Sequence, residues 1–162
     1  MIEKKSLDGL NKQNIVNNTS NRVHPNCFVC GRKSYKGLKL DFFAKDDSNI
    51  TATFLLDGAF EGYPGMLHGG ILSSILDGAM GHCIFAKGQA PVTVEITTRF
   101  RHPVIVIVNE KAVVSARIIE TSYPLYILEA DIVQNKQIKA TAKGKYFDQP
   151  QLADLIHEDL RR

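Results

Sequence analysis

An apolar segment in the middle of the chain constrains the fold more than any other feature. Residues 71–86 are mostly Ile, Leu, Ala, Met, Phe, Gly and Ser, so a helix over them is apolar on all of its sides. The segment is shorter than the roughly 20 residues that a helix needs to cross a bilayer. It therefore predicts a helix buried in a globular domain, and a curved sheet wrapped around that helix would cover it.

Segments with strand character flank this helix on both sides. Before it, apolar and polar residues alternate over 37–43, and after a polar turn residues 50–56 continue as a second strand, which predicts a hairpin. After it, further strands are predicted at 92–101, 110–120, 125–134 and 137–147. The order predicts an α+β fold in which an antiparallel six-stranded sheet, ββαββββ along the chain, surrounds one long helix.

Alternation in the strand at 92–101 assigns a core side and a solvent side to its residues. The core side is predicted to carry Val92, Val94, Ile96 and Phe100. The solvent side is predicted to carry Thr93, Glu95, Thr97, Arg99 and Arg101.

The two ends of the chain differ from its centre. Residues 1–23 are polar and Asn-rich, which predicts an extension outside the folded domain that can contain a short helix. Residues 24–150 form the predicted domain. Residues 151–162 carry leucines and an isoleucine at helical spacing and predict a terminal amphipathic helix.

Composition narrows the class of protein. The chain has 162 residues, and its net charge of +3 comes from 20 basic against 17 acidic residues, which is too balanced for a dedicated nucleic-acid binder. The start of the chain lacks the apolar segment of a signal peptide, and three cysteines do not make a secreted disulfide framework. We expect a cytoplasmic protein with reduced thiols and neither a nucleic-acid nor a membrane partner.

A Pro- and Gly-rich turn at residues 63–70 leads into the apolar helix. The first backbone N–H groups of a helix lack intrahelical partners and lie at the positive end of its dipole, so this turn is suited to hold an oxyanion. Asp77 follows His68 by nine residues, inside the apolar run, where a carboxylate is out of place unless something requires its charge. The combination points to a site for an acyl thioester.

The His-Gly-Gly turn, Asp77, and Thr93 followed by Phe100 and Pro103 resemble one known family. The chain is similar in these positions, and over residues 24–147, to the hotdog-fold acyl-CoA thioesterases of the phenylacetate-degradation type. The resemblance implies a hotdog fold and hydrolysis of an acyl-CoA thioester to the free acid and coenzyme A. It implies no metal and no cofactor beyond the coenzyme A of the substrate.

The resemblance also implies roles for individual residues. The Gly69 N–H would polarise the thioester carbonyl, and His68 would shape the turn or assist. Asp77 would attack the carbonyl or activate water, and Thr93 would help to place the water or the carboxylate. Gly70, Arg99, Arg101 and His102 are candidates for substrate contacts, the basic ones with the phosphates of coenzyme A.

Helix geometry adds a requirement to those roles. Gly69 and Asp77 are eight residues apart, a rise of about 12 Å on an α-helix. One thioester cannot touch both within one chain, and in the related enzymes the amide and the carboxylate come from two subunits. The expected assembly is therefore a homodimer or a dimer of dimers.

Other interpretations of these residues remain open. Asp77 could be a structural carboxylate bonded to Ser73, to Ser74 or to an amide of a partner chain, and His68 could simply cap or pack the turn. Relatives often carry Asn or Gln six residues before the histidine, where this chain has Gly62. A non-catalytic acyl-CoA binder and a hotdog hydroxyacyl-thioester dehydratase or hydratase are therefore kept as alternatives.

A Cys-x-x-Cys motif, Cys27 and Cys30, stands three residues after His24 and is half of a common zinc site. The sequence shows no second Cys-x-x-Cys or histidine pair, so a metal would need His24 and one distant ligand. We therefore predict no metal and interpret the motif as two thiols packed at the edge of the sheet.

Overall fold

Helices and strands alternate in the described part of the chain, which in the computed structural model comprises residues 2–46 and 49–151. The helices are α1 (Ile2–Val23) and α2 (Gly69–Phe85). The strands are β1 (Phe43–Ala44), β2 (Asn49–Leu55), β3 (Pro91–Phe100), β4 (Lys111–Ser122), β5 (Leu125–Gln134) and β6 (Gln137–Asp148). A short 3-10 helix, Gly58–Phe60, precedes α2.

The strands form one antiparallel sheet in the order β1-β2-β4-β5-β6-β3. Asn135 and Lys136, both with positive φ, form the tight turn between β5 and β6. The six-stranded sheet and the ββαββββ order predicted from the sequence are confirmed.

The core lies between α2 and the sheet. Helix residues that are almost fully buried include Leu76, Ala79, Met80, Cys83 and Ile84. They pack against a sheet face that contributes Val114, Leu128, Ile132 and Ala140. Because the sheet curves around the helix, an all-apolar sequence is the one that this position requires.

The first strand is shorter than predicted. Leu40 and Phe42 are buried, as their alternation indicated, but β1 contains only Phe43 and Ala44. The backbone N–H groups of Leu38 and Leu40 donate instead to the carbonyls of Phe28 and Val29, at 2.7 and 2.9 Å. Over the first part of the predicted strand, hydrogen bonds to the loop at residues 28–29 thus take the place of pairing with a neighbouring strand.

The amino-terminal segment forms a 22-residue helix, longer than the short one expected, and it packs onto the domain. Val16 and Thr19 on α1 are buried. The Gln13 amide accepts a hydrogen bond from the Ala44 N–H at 2.9 Å and donates one to the Phe42 carbonyl at 3.0 Å. One side chain of α1 therefore occupies the hydrogen-bonding edge of β1 much as a neighbouring strand would.

Strand β3 lies at the other end of the sheet, where it pairs with β6. Its register shifts between Thr93 and Glu95, an irregularity of the β-bulge kind that interrupts the alternation predicted from the sequence, while Ile96 packs against the core as predicted. The Thr93 hydroxyl donates to Asp77 on α2, so the side chain faces the helix and not the outer side of the sheet predicted for it, although it is exposed in the single chain, as predicted. Val94 and Phe100, predicted in the core, are 61% and 55% exposed in the single chain.

Two further predictions concern the helix at the end of the chain and the absence of a membrane-spanning helix. Most of the terminal helix predicted at 151–162 lies outside the described residues. Neither of the helices described here is both long enough and apolar enough to span a bilayer.

Candidate functional site

The start of α2 presents one free backbone donor. His68 is the N-cap residue, with φ −64° and ψ 135°, and its Nδ1 accepts a hydrogen bond from the Gly70 N–H at 2.9 Å. The Gly69 N–H has no hydrogen-bond partner within residues 2–46 and 49–151. The cap therefore uses the second amide of the helix and leaves the first one available at the positive end of the dipole.

A cavity of about 400 Å³ lies in front of this amide. Its walls are mostly apolar, with two basic side chains near the end of β3. It is lined by Gly62, Tyr63, Met66, Leu67, His68, Gly69, Leu72, Phe100, Arg101, His102, Pro103 and Val104.

Two glycines keep this cavity open. A Cβ on Gly69 would lie 3.3 Å from Cζ of Phe100, and a Cβ on Gly62 would lie 3.1 Å from Cδ2 of His68. Both distances are shorter than ordinary van der Waals contact, so a side chain at either position would displace a neighbouring ring.

Asp77 is half-buried on α2, and its carboxylate is held by two hydroxyl groups. Thr93 on β3 and Tyr146 on β6 each donate to Oδ1 of Asp77 at 2.8 Å. Ser74 donates instead to the Gly70 carbonyl, and in the described residues no side-chain hydrogen bond joins the Asp77 carboxylate to Ser73 or Ser74. The interpretation in which a serine one turn back holds the carboxylate was therefore wrong.

Sequence reasoning missed Tyr146. Its side chain is 1% exposed, and burial, followed by the negative charge of Asp77, raises its pKa well above the ordinary range for tyrosine. The phenol therefore remains a hydrogen-bond donor at neutral pH. The useful signal is the sheet register, which pairs Thr93 with Tyr146 and brings both hydroxyls beneath one turn of α2.

The free amide and the carboxylate are at different places on the helix. The cavity in front of Gly69 is not lined by Asp77, in agreement with the rise of about 12 Å expected over eight helical residues. Thr93 is exposed in the single chain even though it bonds to Asp77. The Asp77 carboxylate therefore lies close to the open edge of β3.

The four predicted substrate contacts separate into two pairs. Arg101 and His102 line the cavity at Gly69. Gly70 does not line it, and Arg99 lines a groove of about 610 Å³ on the outer face of the sheet. Arg101 borders both spaces.

Comparison with known proteins identifies the domain. A family model described as the thioesterase superfamily matches residues 64–139, from the turn before α2 into β6. Residues 64–139 are therefore similar to the thioesterase superfamily. The assignment to the thioesterases, made from the His-Gly-Gly turn and Asp77, is confirmed.

A curated relative of this superfamily is the acyl-coenzyme A thioesterase THEM4 of Bos taurus. It is 29% identical over 89 residues, which cover 52% of this chain and 36% of THEM4. The chain thus matches only about a third of the length of that relative.

Solved structures share the fold of the thioesterase domain. The PaaI protein from the phenylacetic acid degradation operon of E. coli has a TM-score of 0.70 at 18% identity, covering 85% of this chain and 95% of PaaI. The Streptococcus mutans protein smu.793, whose structure contains acetyl CoA, has a TM-score of 0.62 at 16% identity, covering 68% and 88% of the two chains. The predicted hotdog fold is confirmed.

Upstream of the matched residues, the loop after α1 gathers one imidazole and two thiols. Ligand atoms of His24, Cys27 and Cys30 all lie within 4.8 Å of one another. The sequence interpretation treated His24 as one contributor to an incomplete set, and the structure brings it to both cysteines.

Proposed function

We propose that this protein hydrolyses an acyl-CoA thioester to the free acid and coenzyme A. The observation that carries the proposal is that α2 presents two different functional groups. Its first amide, which has no hydrogen-bond partner in the described residues, faces a cavity, and the Asp77 carboxylate, about two turns further on, is held by two hydroxyl groups.

The Gly69 amide supplies the electrostatic part of the reaction. Attack on a thioester places negative charge on the carbonyl oxygen, and a donor that is already fixed at a helix start stabilises that charge without reorganisation. His68 holds the turn by accepting the Gly70 N–H. Its role in this proposal is to orient the Gly69 amide.

Asp77 supplies the base or the nucleophile. Both hydroxyl bonds reach Oδ1, and Oδ2 has no hydrogen-bond partner in the described residues. Oδ2 can then take a proton from water as the water attacks, or attack the carbonyl itself to form an anhydride that water opens. Either route adds one water and releases one carboxylic acid and one thiol.

The complete site needs two subunits, because one thioester cannot reach both groups within a chain. The partner is a second copy that pairs edge to edge with β3, and a dimer of dimers is a further level of the same assembly. Support comes from the open edge of β3 and from the exposed apolar side chains of Val94 and Phe100.

Coenzyme A is the proposed carrier of the acyl group. THEM4 is an acyl-coenzyme A thioesterase, and the S. mutans protein binds acetyl CoA. Arg101 and His102 line the cavity, and Arg101 and Arg99 line the outer groove. These basic side chains are the proposed contacts for the phosphates.

The first test measures thiol release from short, medium, long and aryl-acetyl CoA esters. We expect turnover by the native protein and its loss in Asp77→Asn, which keeps an acceptor for Thr93 and Tyr146. Asp148→Asn is the matched control, since Asp148 is another carboxylate that accepts a hydrogen bond inside the domain, from the Ala90 N–H, and it lines neither the cavity nor the outer groove. Undiminished turnover in Asp77→Asn contradicts the proposed chemistry.

A second test measures how much the Gly69 N–H contributes to turnover. Gly69→Pro removes the N–H at the first helical position, where proline is tolerated, and the backbone of His68 has the extended conformation that proline requires before it. Gly69→Ala adds a Cβ and keeps the N–H. We expect turnover to fall by about 10²- to 10³-fold more in the proline variant than in the alanine variant.

Mixing the variants tests the two-subunit site. An Asp77→Asn subunit paired with a Gly69→Pro subunit rebuilds one intact site from the Gly69 of one chain and the Asp77 of the other. Random mixing should restore about a quarter of the native sites, because half of the dimers are mixed and each has one good site. No recovery on mixing, with mixed dimers present, contradicts the shared site.

Gly62 favours one alternative, a non-catalytic acyl-CoA binder. It lines the cavity beside His68 without a side chain to orient the water. Retained binding of the esters with no turnover on any of them selects this alternative. The dehydratase alternative gains no support, since the groups bonded to the Asp77 carboxylate are hydroxyls and include no histidine of the described chain.

A further inference from the structure

The loop between α1 and β1 forms a compact group of soft ligands, and we propose that His24, Cys27 and Cys30 bind one Zn²⁺ ion. Imidazole and thiolate are the ligands that zinc prefers in proteins. The site is separate from Gly69 and Asp77 and does not depend on the proposed hydrolysis.

The spacing of the three side chains suits one small cation. Their ligand atoms lie within 4.8 Å of one another, and Nδ1 of His24 lies 3.8 Å from Sγ of Cys30. Tetrahedral zinc, with bonds of about 2.3 Å to sulfur and about 2.0 Å to nitrogen, places its ligand atoms roughly 3.5 to 3.8 Å apart. Side-chain adjustments of under about 1 Å therefore complete the coordination.

The backbone of the loop is arranged around the sulfur atoms. The Val29 N–H donates to Sγ of Cys27 at 3.4 Å, and the Ser20 hydroxyl donates to Sγ of Cys30 at 3.7 Å. Donors of this kind orient the ligands of a metal and stabilise thiolates. They also connect the last turn of α1 to the site.

Gly31 shows how tightly this loop closes. Its N–H donates to the Cys27 carbonyl at 2.8 Å, and a Cβ built on it would lie 2.3 Å from the Cys27 nitrogen. No other residue fits there without moving the backbone. The loop is thus held in one conformation, and the two sulfurs do not have to be ordered when the ion binds.

Zinc binds cysteine in its thiolate form, so binding releases the thiol protons. Both cysteines are free thiols, Cys27 half-buried and Cys30 buried, so neither sulfur is held in a disulfide.

Three protein ligands leave one coordination position for water in the described part of the chain. Cys30 lines a cavity of about 370 Å³ beside α1, large enough for that water. The ion would tie His24, directly after α1, to the loop that leads to β1. Its role is then to fasten α1 to the domain.

The test measures metal in the full chain purified under reducing conditions without chelator. We expect one zinc per chain by mass spectrometry of the metal in the native protein and in Cys83→Ala, which removes the third cysteine. We expect zinc to be lost from Cys27→Ser and Cys30→Ser. Chelation should lower the Tm of the native protein and leave that of the serine variants unchanged.

Cobalt substitution tests the geometry independently of how well the variants fold. The metal-free native protein should take up one Co²⁺ and develop the intense visible bands of tetrahedral cobalt, together with thiolate charge-transfer absorption. His24→Ala should weaken these bands. Reduced native protein with its thiols free that takes up neither metal overturns the proposal, as does a Cys27–Cys30 disulfide in protein whose thiols were trapped at lysis.

Discussion

Tyr146 donates its phenolic hydrogen to Oδ1 of Asp77 at 2.8 Å, reaching from β6 to the middle of α2. Gly144 makes room for this ring, because a Cβ on Gly144 would lie 2.6 Å from Cε2 of Tyr146. Thr93 donates to the same oxygen. The carboxylate is therefore fixed through one oxygen, and the other has no hydrogen-bond partner in the described residues.

Removing the phenol should slow the reaction without weakening substrate binding. Tyr146→Phe loses one of two bonds to the Asp77 carboxylate, a charge-assisted bond worth about 1.5 to 3 kcal/mol, so we expect kcat to fall by about 10- to 100-fold with KM nearly unchanged. Tyr126→Phe is the control, since Tyr126 is also buried and donates to Gln89 at 2.6 Å. Equal losses of kcat in both variants would show a general effect on packing.

The cap at His68 should be measurable as stability. His68→Ala removes the acceptor for the Gly70 N–H and should lower the free energy of unfolding by about 1 kcal/mol, while His68→Asn retains a capping oxygen. Denaturant unfolding of both variants checks this. Turnover retained in His68→Asn assigns the histidine to the cap, whereas loss of turnover in a stable His68→Asn protein assigns it to the chemistry.

A charge on the open edge of β3 should separate the subunits. Val94→Glu places a carboxylate at the proposed two-fold interface, so we expect a monomer in sedimentation equilibrium and a parallel loss of thiol release. Val108→Glu is the control, because Val108 is 83% exposed in the loop before β4. A dimeric and active Val94→Glu protein would place the interface elsewhere.

Alanine substitution should change the free energy of unfolding in opposite directions at two glycines of α2. Gly81 has no atom within 4 Å of an added Cβ, so Gly81→Ala should raise the free energy of unfolding by about 1 kcal/mol through helix propensity. At Gly78 the Cβ would lie 2.8 Å from Cγ1 of Val29, so Gly78→Ala should destabilise by about 1 to 3 kcal/mol. Urea unfolding measures both, and an equal gain in the two variants would contradict the close packing at Gly78.

The sequence predicted α2 because a long run is apolar on all of its sides, and it predicted the last three strands because each is long and alternates between buried and outward residues. The same reasoning shortened α1 and lengthened β1, since both depend on distant contacts. The position of Gln13 beside β1 and the pairing of Leu38 with Phe28 cannot be read from periodicity in either segment.

The residues of the candidate site also fall into those that local sequence predicts and those that depend on distant contacts. His68, Gly69 and Asp77 form a local pattern on one turn and helix, so the sequence located them. Tyr146 and the bulge after Thr93 depend on strand register, which a single sequence does not specify here. Local patterns also do not show that His24 lies beside both cysteines, because that proximity depends on where α1 ends.

The Gln13 amide has a consequence for growth of the sheet. At β1 the side chain already fills two backbone hydrogen-bonding positions, while β3 pairs with a strand on one side only within residues 2–46 and 49–151. Because the β1 edge is blocked and the β3 edge is open, this sheet can pair with one further sheet only. Pairing through β3 would then stop at two chains, because the far ends of the joined sheet are both blocked and no ribbon or fibre can propagate from them.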